Sequence, residues 1–217
     1  MSTKSRATIS NVTGVILAGG QSSRMGSNKA LLPFQGGRFI EAIYRQFAEL
    51  FPEVLLVTNN PEQYDFLPCR TVADIYPAQG ALAGLHSGLF HSSSEHIFAV
   101  ACDMPWLNSA LIRRLAARRE GCDVVIPEGA AGLEPLHAVY GRRCLAPMEE
   151  SLENSRKRII SFFPSVRVST LPRREVAQLD PEFASFSNIN TPEDYFKLRG
   201  AGSCAAYNQA AGMVAAL

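Results

Sequence analysis

Near its start the chain passes from an apolar strand directly into a glycine-rich loop, and this junction constrains the fold more than any other feature. Residues 13–17 are the apolar run, and residues 18–20, Ala-Gly-Gly, follow at once. Glycines after a buried strand let consecutive backbone N–H groups point at one anion, because no Cβ stands in the way. Arg24 and Lys29 add positive charge farther along the same loop. The segment predicts a binding site for a nucleoside triphosphate.

Two common phosphate-binding motifs do not fit this loop. A Walker loop places its Lys directly after the last Gly and follows it with Ser or Thr. Here Lys29 comes three residues after Gly26 and precedes Ala30, and no G-x-G-x-x-G occurs in the chain. The loop is therefore of another nucleotide-binding kind.

Length and composition predict one domain of enzyme size with small-molecule partners. Of the 217 residues, 47% are hydrophobic, which is enough for a substantial core. We expect a single domain over residues 1–200 and an Ala/Gly-rich tail of no assigned role at 201–217. The net charge is +1 with no long Lys/Arg run, which argues against nucleic acid or an anionic membrane as the main partner.

Cysteine usage and the early residues predict a cytoplasmic protein. The five cysteines include no C-x-x-C pair, and their odd number favours free thiols over a disulfide framework or a structural Zn site. Residues 1–12 lack an apolar h-region, and no uninterrupted apolar run approaches about 18 residues. We therefore expect no membrane span.

Apolar runs alternate with helical patterns along the chain. Helices are predicted at 39–50, at 82–90 and around 111–116, and buried strands at 13–17, 54–57, 69–73, 97–101 and 123–127. Such alternation is typical of a parallel sheet that helices cover on both faces. The sequence predicts an α/β fold with a Rossmann-like, doubly wound, mostly parallel sheet.

The second half of the chain is less regular. It predicts a strand at 137–140, a helix at 144–152 and a half-exposed strand at 166–169, with a small antiparallel insertion near the edge of the sheet. Thr191 followed by Pro192 and two acids predicts the start of another helix.

Residues that directly follow each strand are the site candidates, because ligands of doubly wound sheets lie beyond the carboxyl ends of the strands. Asn59 and Asn60 follow the second strand, Asp74 the third and Asp103 the fourth. Asn-Asn-Pro is equally an ordinary turn, and Asp74 taken alone fits a solvated turn better than a site. Asp103 is the stronger candidate.

Asp103 stands at the rim of the predicted core, where an unpaired carboxylate is costly unless a cation meets it. Mg²⁺ needs one or two protein carboxylates and takes its other ligands from phosphate oxygens and water. A single Asp above a triphosphate loop is therefore enough for a Mg²⁺ site. The alternative is that Asp103 caps the following turn, and both interpretations can hold together.

The loop Leu17-Ala18-Gly19-Gly20-Gln21-Ser22-Ser23-Arg24-Met25-Gly26-Ser27-Asn28-Lys29 resembles the L-A-G-G-x-S-x-R-M-G-x-x-K signature of molybdenum cofactor guanylyltransferases and related nucleotidyltransferases. Cys102-Asp103-Met104-Pro105 is similar to the family's C-D-x-P segment. The resemblance extends from about Thr13 to Arg199. It implies GTP and the molybdopterin cofactor as substrates and Mg²⁺ as the metal.

The resemblance also implies where the base and the acceptor bind. Asp74 matches the aspartate that precedes the family's G-P-L-A-G loop, which sits over the guanine and is written here Gly80-Ala81-Leu82-Ala83-Gly84. Ala81 replaces the family's Pro, which puts the rigidity of this loop in doubt. The segments 132–140 and 188–192 correspond to parts near the pterin. They contain Asn190, and Glu134 where relatives often carry Gln.

Two features of the acceptor end have no decided role. Glu134 would repel an incoming phosphate unless a cation intervenes, so it marks either a second metal contact or nothing. The cluster Arg156, Lys157 and Arg158 suits a phosphorylated acceptor, although such a run is more often solvated surface.

The predicted function is transfer of GMP from GTP to the phosphate of molybdopterin, with pyrophosphate released. The alternatives are a cytidylyltransferase acting on the same cofactor, a sugar-phosphate nucleotidyltransferase, and a nucleotide-binding escort module without turnover. Transient contacts with cofactor-biosynthesis proteins and recipient molybdoenzymes are expected. The predicted catalytic residues are Arg24, Lys29 and Asp103, with Asp103 also the metal ligand, and the predicted substrate-binding residues are Leu17, Ala18, Gly19, Gly20, Lys29, Asn60, Asp74, Gly80, Leu82, Ala83, Gly84, Asp103 and Asn190.

Overall fold

The apolar runs of the sequence form the strands of one large sheet, and the helical patterns form the layers on its two faces. The computed structural model describes residues 7–19, 28–189 and Asp194. Its strands are β1 (Val12–Leu17), β2 (Pro33–Phe34), β3 (Gly37–Arg38), β4 (Glu53–Val57), β5 (Arg70–Val72), β6 (His96–Ala101), β7 (Val124–Pro127), β8 (His137–Gly141) and β9 (Val168–Leu171). Its α-helices are α1 (Phe39–Leu50), α2 (Ala81–His91), α3 (Ser109–Ala117), α4 (Leu145–Glu153) and α5 (Arg173–Leu179).

The sheet has seven strands in the order β5-β4-β1-β6-β8-β7-β9, and only β8 runs against the others. A doubly wound, mostly parallel sheet is therefore confirmed. The expected small antiparallel insertion is present as the two-stranded sheet of β2 and β3, and a further antiparallel strand, β8, lies inside the large sheet between β6 and β7. All five residues of β8 are buried, so this strand needs neighbours on both sides, whereas β9 is largely exposed at the edge.

Two separate apolar clusters fill the space between the sheet and its helices. One contains residues of α1, α3 and α5, and the other contains residues of α2 and α4. The sheet is thus covered on both faces, as a parallel sheet of apolar strands requires. The short hairpin β2–β3 packs with Ile189 in a third, smaller cluster that Trp106 also contacts.

Gly14 in the middle of β1 allows the closest contact between the sheet and α1. A Cβ at this position would lie 2.6 Å from Cδ2 of Phe47 and 2.7 Å from Cδ2 of Phe51. These two rings pack against each other and against Phe98, so neither can move away easily. The close approach of the helix therefore depends on a missing side chain.

We expect Gly14→Ala to lower the free energy of unfolding by about 1–3 kcal/mol through overpacking. Urea denaturation checks this. Glu49→Ala, which changes an exposed position of α1, is the comparison for a mutation that adds no atoms to the core. An unchanged midpoint for Gly14→Ala would contradict the steric account.

Three expectations fall outside the described residues, namely the helix start at Thr191, the tail 201–217 and part of the glycine-rich loop. In the part of the chain that the structure describes, no helix is both long enough and apolar enough to cross a membrane.

Candidate active site

A cleft of about 700 Å³ opens at the carboxyl edge of the sheet. The ends of β1, β4 and β6 form its floor, and the loop before α2 forms one wall. This is where the topology of a doubly wound sheet places its ligands, because the strand order reverses beside the first strand. The residues after the strands therefore meet around one space, as the sequence predicted.

The end of β1 supplies the first part of the cleft. Leu17 and Gly19 line it, whereas Ala18 packs into the core cluster that contains α1. The Ala18 N–H donates to the carbonyl of Val57 at 2.8 Å, so this amide is already used within the sheet. Of Leu17, Ala18 and Gly19, Gly19 is thus the candidate for contact with an anion. Gly20 and Arg24 lie outside the described residues.

Lys29 and Asp103 provide opposite charges that act on each other. Lys29 begins a short 3-10 helix, Lys29–Leu31, and Asp103 follows β6 and lines the cleft. Burial raises the pKa of the Asp103 carboxyl above its ordinary value, and the Lys29 ammonium acts in the opposite direction. A partly desolvated carboxylate with one cation nearby is a suitable ligand for a further cation.

Cys102, which precedes Asp103, also lines the cleft. Burial raises the pKa of its thiol to about 12, and the neighbouring Asp103 carboxylate acts in the same direction. The thiol therefore stays protonated near neutral pH. Since the thiolate is the nucleophilic form of cysteine, Cys102 is a wall residue and not a nucleophile.

A pair of polar side chains, Asn59 and Asp74, also lines the cleft. The Asn59 amide donates to Oδ2 of Asp74 at 2.9 Å, and the Asp74 N–H donates to Oδ1 of Asn59 at 3.0 Å. The carboxylate lies between two glycines, with a Cβ on Gly19 falling 3.9 Å from its Oδ2 and one on Gly84 3.5 Å from its Oδ1. Asp74 is therefore half-buried, held by Asn59 and next to Gly19 and Gly84, where it lines the cleft.

The loop before α2 brings backbone to the cleft. Gly80 has a φ of 72°, in the left-handed region that favours glycine, and it caps α2. Gly80 and Gly84 line the cleft, but the side chains of Leu82 and Ala83 are fully buried in the core beneath α2. Contact of the Leu82 and Ala83 backbone with substrate stays a prediction, since only their side chains lie in the core. The helical period turns them towards the sheet.

Two segments that are distant in sequence complete the cleft. Leu136, next to β8, and Asn188 both line it, and the Ile189 N–H donates to the Asp103 carbonyl at 3.0 Å. Asn60 lines the cleft as predicted, and Asn190 lies outside the described residues. Leu136 and Asn188 were not in the predicted set. Their only sequence signal was membership of the two segments that match the family.

Glu134 lies behind the cleft rather than on its surface. It is partly buried, and burial raises the pKa of its carboxyl. Its Oε1 occupies the space beside Gly129, where a Cβ would be only 2.5 Å away. The basic cluster is closer to the cleft, since Nζ of Lys157 donates to the carbonyl of Ala78, a cleft residue, at 3.2 Å.

The described residues fit Mg²⁺ held jointly with a substrate. They contain no group of three or more His, Cys, Asp or Glu side chains that would enclose a metal by themselves. Asp103 is a desolvated carboxylate at the edge of an open cleft, and Mg²⁺ is commonly bound by one or two carboxylates plus phosphate oxygens and water. The donor set is thus suited to a metal that arrives with a nucleotide.

A doubly wound sheet with a glycine loop, a lysine and two aspartates at its carboxyl edge defines a class of nucleotide-binding α/β proteins. The model of the MobA-like NTP transferase domain matches residues 14–168 of this chain. The chain therefore belongs to the MobA-like nucleotidyltransferase family, and it is a nucleotidyltransferase.

Individual relatives agree with this assignment. The molybdenum cofactor guanylyltransferase of Desulfosudis oleivorans is 37% identical over 192 residues, covering 88% of this chain and 95% of the relative. A Pelotomaculum thermopropionicum protein named "Probable molybdenum cofactor guanylyltransferase" is 37% identical over 187 residues, covering 86% and 91%. The solved molybdopterin-guanine dinucleotide biosynthesis protein A of Archaeoglobus fulgidus has the same fold, with a TM-score of 0.74 and 23% identity over 94% of this chain and 100% of that one.

Proposed function

We propose that this enzyme transfers GMP from GTP to the terminal phosphate of the molybdopterin cofactor, with Mg²⁺ as the metal, in the cytoplasm. The observation that carries the proposal is a cleft that brings together Asp103, on which the Lys29 ammonium acts, and the Asn59–Asp74 pair. The names of the relatives, at 37% identity over most of both chains, support the choice of substrates.

The reaction asks for alignment and charge neutralisation rather than covalent catalysis. An oxygen of the acceptor phosphate attacks the α-phosphorus of GTP, the bond from the α-phosphorus to the bridging oxygen breaks, and pyrophosphate leaves with that electron pair. The acceptor is already anionic at neutral pH, since its second pKa is about 6, so no general base is needed. The Cys102 thiol, which stays protonated because burial raises its pKa, could not act as a base, and the reaction does not need one.

Lys29 and the glycine loop would act on the triphosphate. A Lys ammonium beside the cleft would offset the negative charge that grows on the leaving pyrophosphate, and backbone N–H groups after β1 would orient it. Arg24, from the same loop, is proposed to share this role. Lys29, held on its short 3-10 helix, would be placed before the reaction, so little reorganisation would be required at the moment of transfer.

Asp103, which lines the cleft, would hold Mg²⁺ there. When bound, the metal would supply positive charge to the α-phosphate and to the attacking phosphate. The Asp103 carboxylate has the burial that favours such a role, because a desolvated anion gains most from a cation.

The Asp74 carboxylate, which also lines the cleft, is a suitable acceptor for the N1–H and N2 amino groups of guanine. Cytosine and adenine lack this adjacent pair of donors, so a carboxylate fixed by Asn59 would favour guanine. This preference is what distinguishes the proposal from a cytidylyltransferase. Asn60, Gly80 and Gly84 would contact the nucleoside from the walls of the cleft.

The acceptor would enter beside Leu136 and Asn188, which line the same cleft as Asp103. Lys157 reaches the rim of the cleft through the Ala78 carbonyl, and the neighbouring Arg156 and Arg158 would add positive potential for an anionic acceptor. Asn190 is proposed for the same end. Transient docking of recipient molybdoenzymes would follow product formation.

Pyrophosphate release with GTP, CTP and ATP, each with and without molybdopterin and with and without Mg²⁺, tests the proposal. Release only with GTP, pterin and Mg²⁺ together is expected. CTP preference would replace the proposal with a cytidylyltransferase, and release with a sugar phosphate would change the acceptor class. Tight GTP binding without release under any combination would favour the escort module.

Lys29→Ala is expected to lower kcat by about a hundredfold, because it removes a cation from the developing charge. Its effect on the melting temperature should be small, since Lys29 is partly exposed on a short loop helix. Arg174→Ala, which removes an exposed cation from α5, is the matched control. Equal turnover for Lys29→Ala and the wild type would remove Lys29 from the mechanism.

A further inference from the structure

Asn28 joins the segment of Lys29 to the segment that follows β4. Its Oδ1 accepts a hydrogen bond from the Ala30 N–H at 3.2 Å, which caps the 3-10 helix that Lys29 begins. Its Nδ2 donates to Oε1 of Gln63 at 2.7 Å and to the hydroxyl oxygen of Tyr64 at 2.8 Å. One amide therefore shapes the turn of Lys29 and ties this turn to a different part of the chain.

Tyr64 provides the fixed end of this connection. Its side chain is only 2% exposed and belongs to the core cluster that contains α1. It ends the 3-10 helix Pro61–Tyr64, which starts directly after Asn60, a residue of the cleft. A buried aromatic ring has little freedom to move, so its hydroxyl is a rigid point of attachment for Asn28.

The fully buried Ala30 packs in the same core cluster as Tyr64, so the side chain of Asn28 acts on the start of the short helix, where Lys29 lies. Lys29 lies on a helix of three residues, whose own hydrogen bonds are the Leu31 N–H to the Asn28 carbonyl and the Leu32 N–H to the Lys29 carbonyl. A helix this short is not stable by itself. The side-chain bonds of Asn28 to Gln63 and Tyr64 bridge 35 and 36 residues, and they hold the start of this helix against the core.

We propose that Tyr64 and Asn28 are positioning residues that hold Lys29 towards Asp103 and the triphosphate. This inference rests on the proposed function, because it assigns Lys29 to the triphosphate. The contact between Asn28 and Tyr64 also connects two parts of the site through the 3-10 helix that follows Asn60. One part is proposed to bind the nucleoside and the other the phosphates. Neither Tyr64 nor Asn28 touches the reacting atoms; both act through Lys29.

A double-mutant cycle between Tyr64→Phe and Lys29→Ala tests the proposal on two quantities. The first is the Kd for GTP with Mg²⁺ and no acceptor, followed by the fluorescence of Trp106, the single tryptophan of the chain, three residues beyond Asp103. The second is kcat and KM for pyrophosphate release. Tyr64→Phe keeps the ring in the core and removes only the hydroxyl. Tyr44→Phe, whose hydroxyl donates to the Pro68 carbonyl, is the matched control.

We expect Tyr64→Phe to raise the Kd three- to tenfold and to lower kcat about tenfold, with the KM for GTP changed less than kcat. In the Lys29→Ala background the same substitution should change Kd and kcat less than twofold, because the side chain that Tyr64 positions is absent. Asn28→Ala should behave as Tyr64→Phe does in both backgrounds. Tyr44→Phe should leave all values unchanged.

Additive effects in the cycle would overturn the proposal, since a general loss of packing does not depend on Lys29. No effect of Tyr64→Phe in the wild-type background would also overturn it. Failure of the proposed function is a separate result, in which the unmutated enzyme releases no pyrophosphate with GTP and pterin. In that case the cycle on the GTP Kd alone still decides whether Tyr64 acts through Lys29.

Discussion

Asp103→Asn is expected to reduce Mg²⁺-dependent transfer by about a thousandfold or more while the fold remains intact. The substitution keeps the size of the side chain and removes the charge that would hold the metal. Loss of one preorganised electrostatic contact in the transition state commonly lowers kcat by about 10²–10³, and loss of a metal ligand belongs at the upper end of that range.

Stability should change in the opposite direction to activity. Burial raises the pKa of the Asp103 carboxyl, so its charged form is less favourable in the folded protein than in the unfolded chain. An acid with a raised pKa in the folded state destabilises the fold progressively as pH rises through that pKa. The neutral amide removes this penalty, and the melting temperature at pH 7.5 without Mg²⁺ should be unchanged or higher.

Pyrophosphate release and thermal denaturation, measured on the same preparations, check both parts. Glu49→Gln makes the same carboxylate-to-amide change at an exposed position of α1 and should affect neither quantity. Full activity of Asp103→Asn would move the metal to another carboxylate. Loss of activity together with a large fall in melting temperature would assign Asp103 a structural role instead.

His137→Leu is expected to make the protein less sensitive to acid. His137 is 0% exposed, and neither of its ring nitrogens has a hydrogen-bond partner among the described residues. Its imidazole lies between the rings of Phe98 and Phe186, 5.1 and 5.3 Å from their centres. Burial lowers its pKa to about 3, although the Asp180 carboxylate acts in the opposite direction.

The sign of the pH dependence follows from which state binds the proton. Below a pH of about 6.5 the unfolded chain protonates this histidine, while the folded protein does so only near pH 3. Acid therefore favours unfolding across this window. At pH 5 the contribution is about 2 kcal/mol, from 1.36 kcal/mol for each pH unit below 6.5.

Urea denaturation at pH 7.5 and pH 5 measures the effect. The loss of unfolding free energy between the two should be about 2 kcal/mol smaller in His137→Leu than in the wild type. At pH 7.5 the variant should be at least as stable, since an unpaired buried polar group is removed. Phe186→Leu disturbs the same packing without removing a titratable group, so it should keep the wild-type pH dependence. Equal acid sensitivity of His137→Leu and the wild type would contradict the assignment.

Local sequence patterns predicted those helices and strands whose buried residues show a regular apolar spacing in the sequence. The helix predicted at 39–50 is found as Phe39–Leu50, and the buried strands after it were placed to within one or two residues. These runs repeat at the period of a helix or are apolar on both faces of a strand. The strand predicted at 166–169 is instead Val168–Leu171, because a half-exposed run does not fix its own register and pairing with β7 decides it.

The candidate site was predicted where it follows strands and missed where it depends on strand order. Asn60, Asp74 and Asp103 were found because each comes soon after a strand. The sequence could not show that Asn59 holds Asp74, that Asn28 reaches Tyr64, or that Leu136 and Asn188 line the same cleft as Asp103.

The sequence by itself thus determined the class of fold, the glycine loop, the lysine and the carboxylate, because periodicity and short motifs are properties of neighbouring residues. Only the tertiary structure decided that β8 lies inside the sheet, that Leu82 and Ala83 point into the core, and that Lys157 reaches the rim of the cleft. These contacts join segments far apart in the chain. Their existence depends on the order in which the strands pair, which no local pattern records.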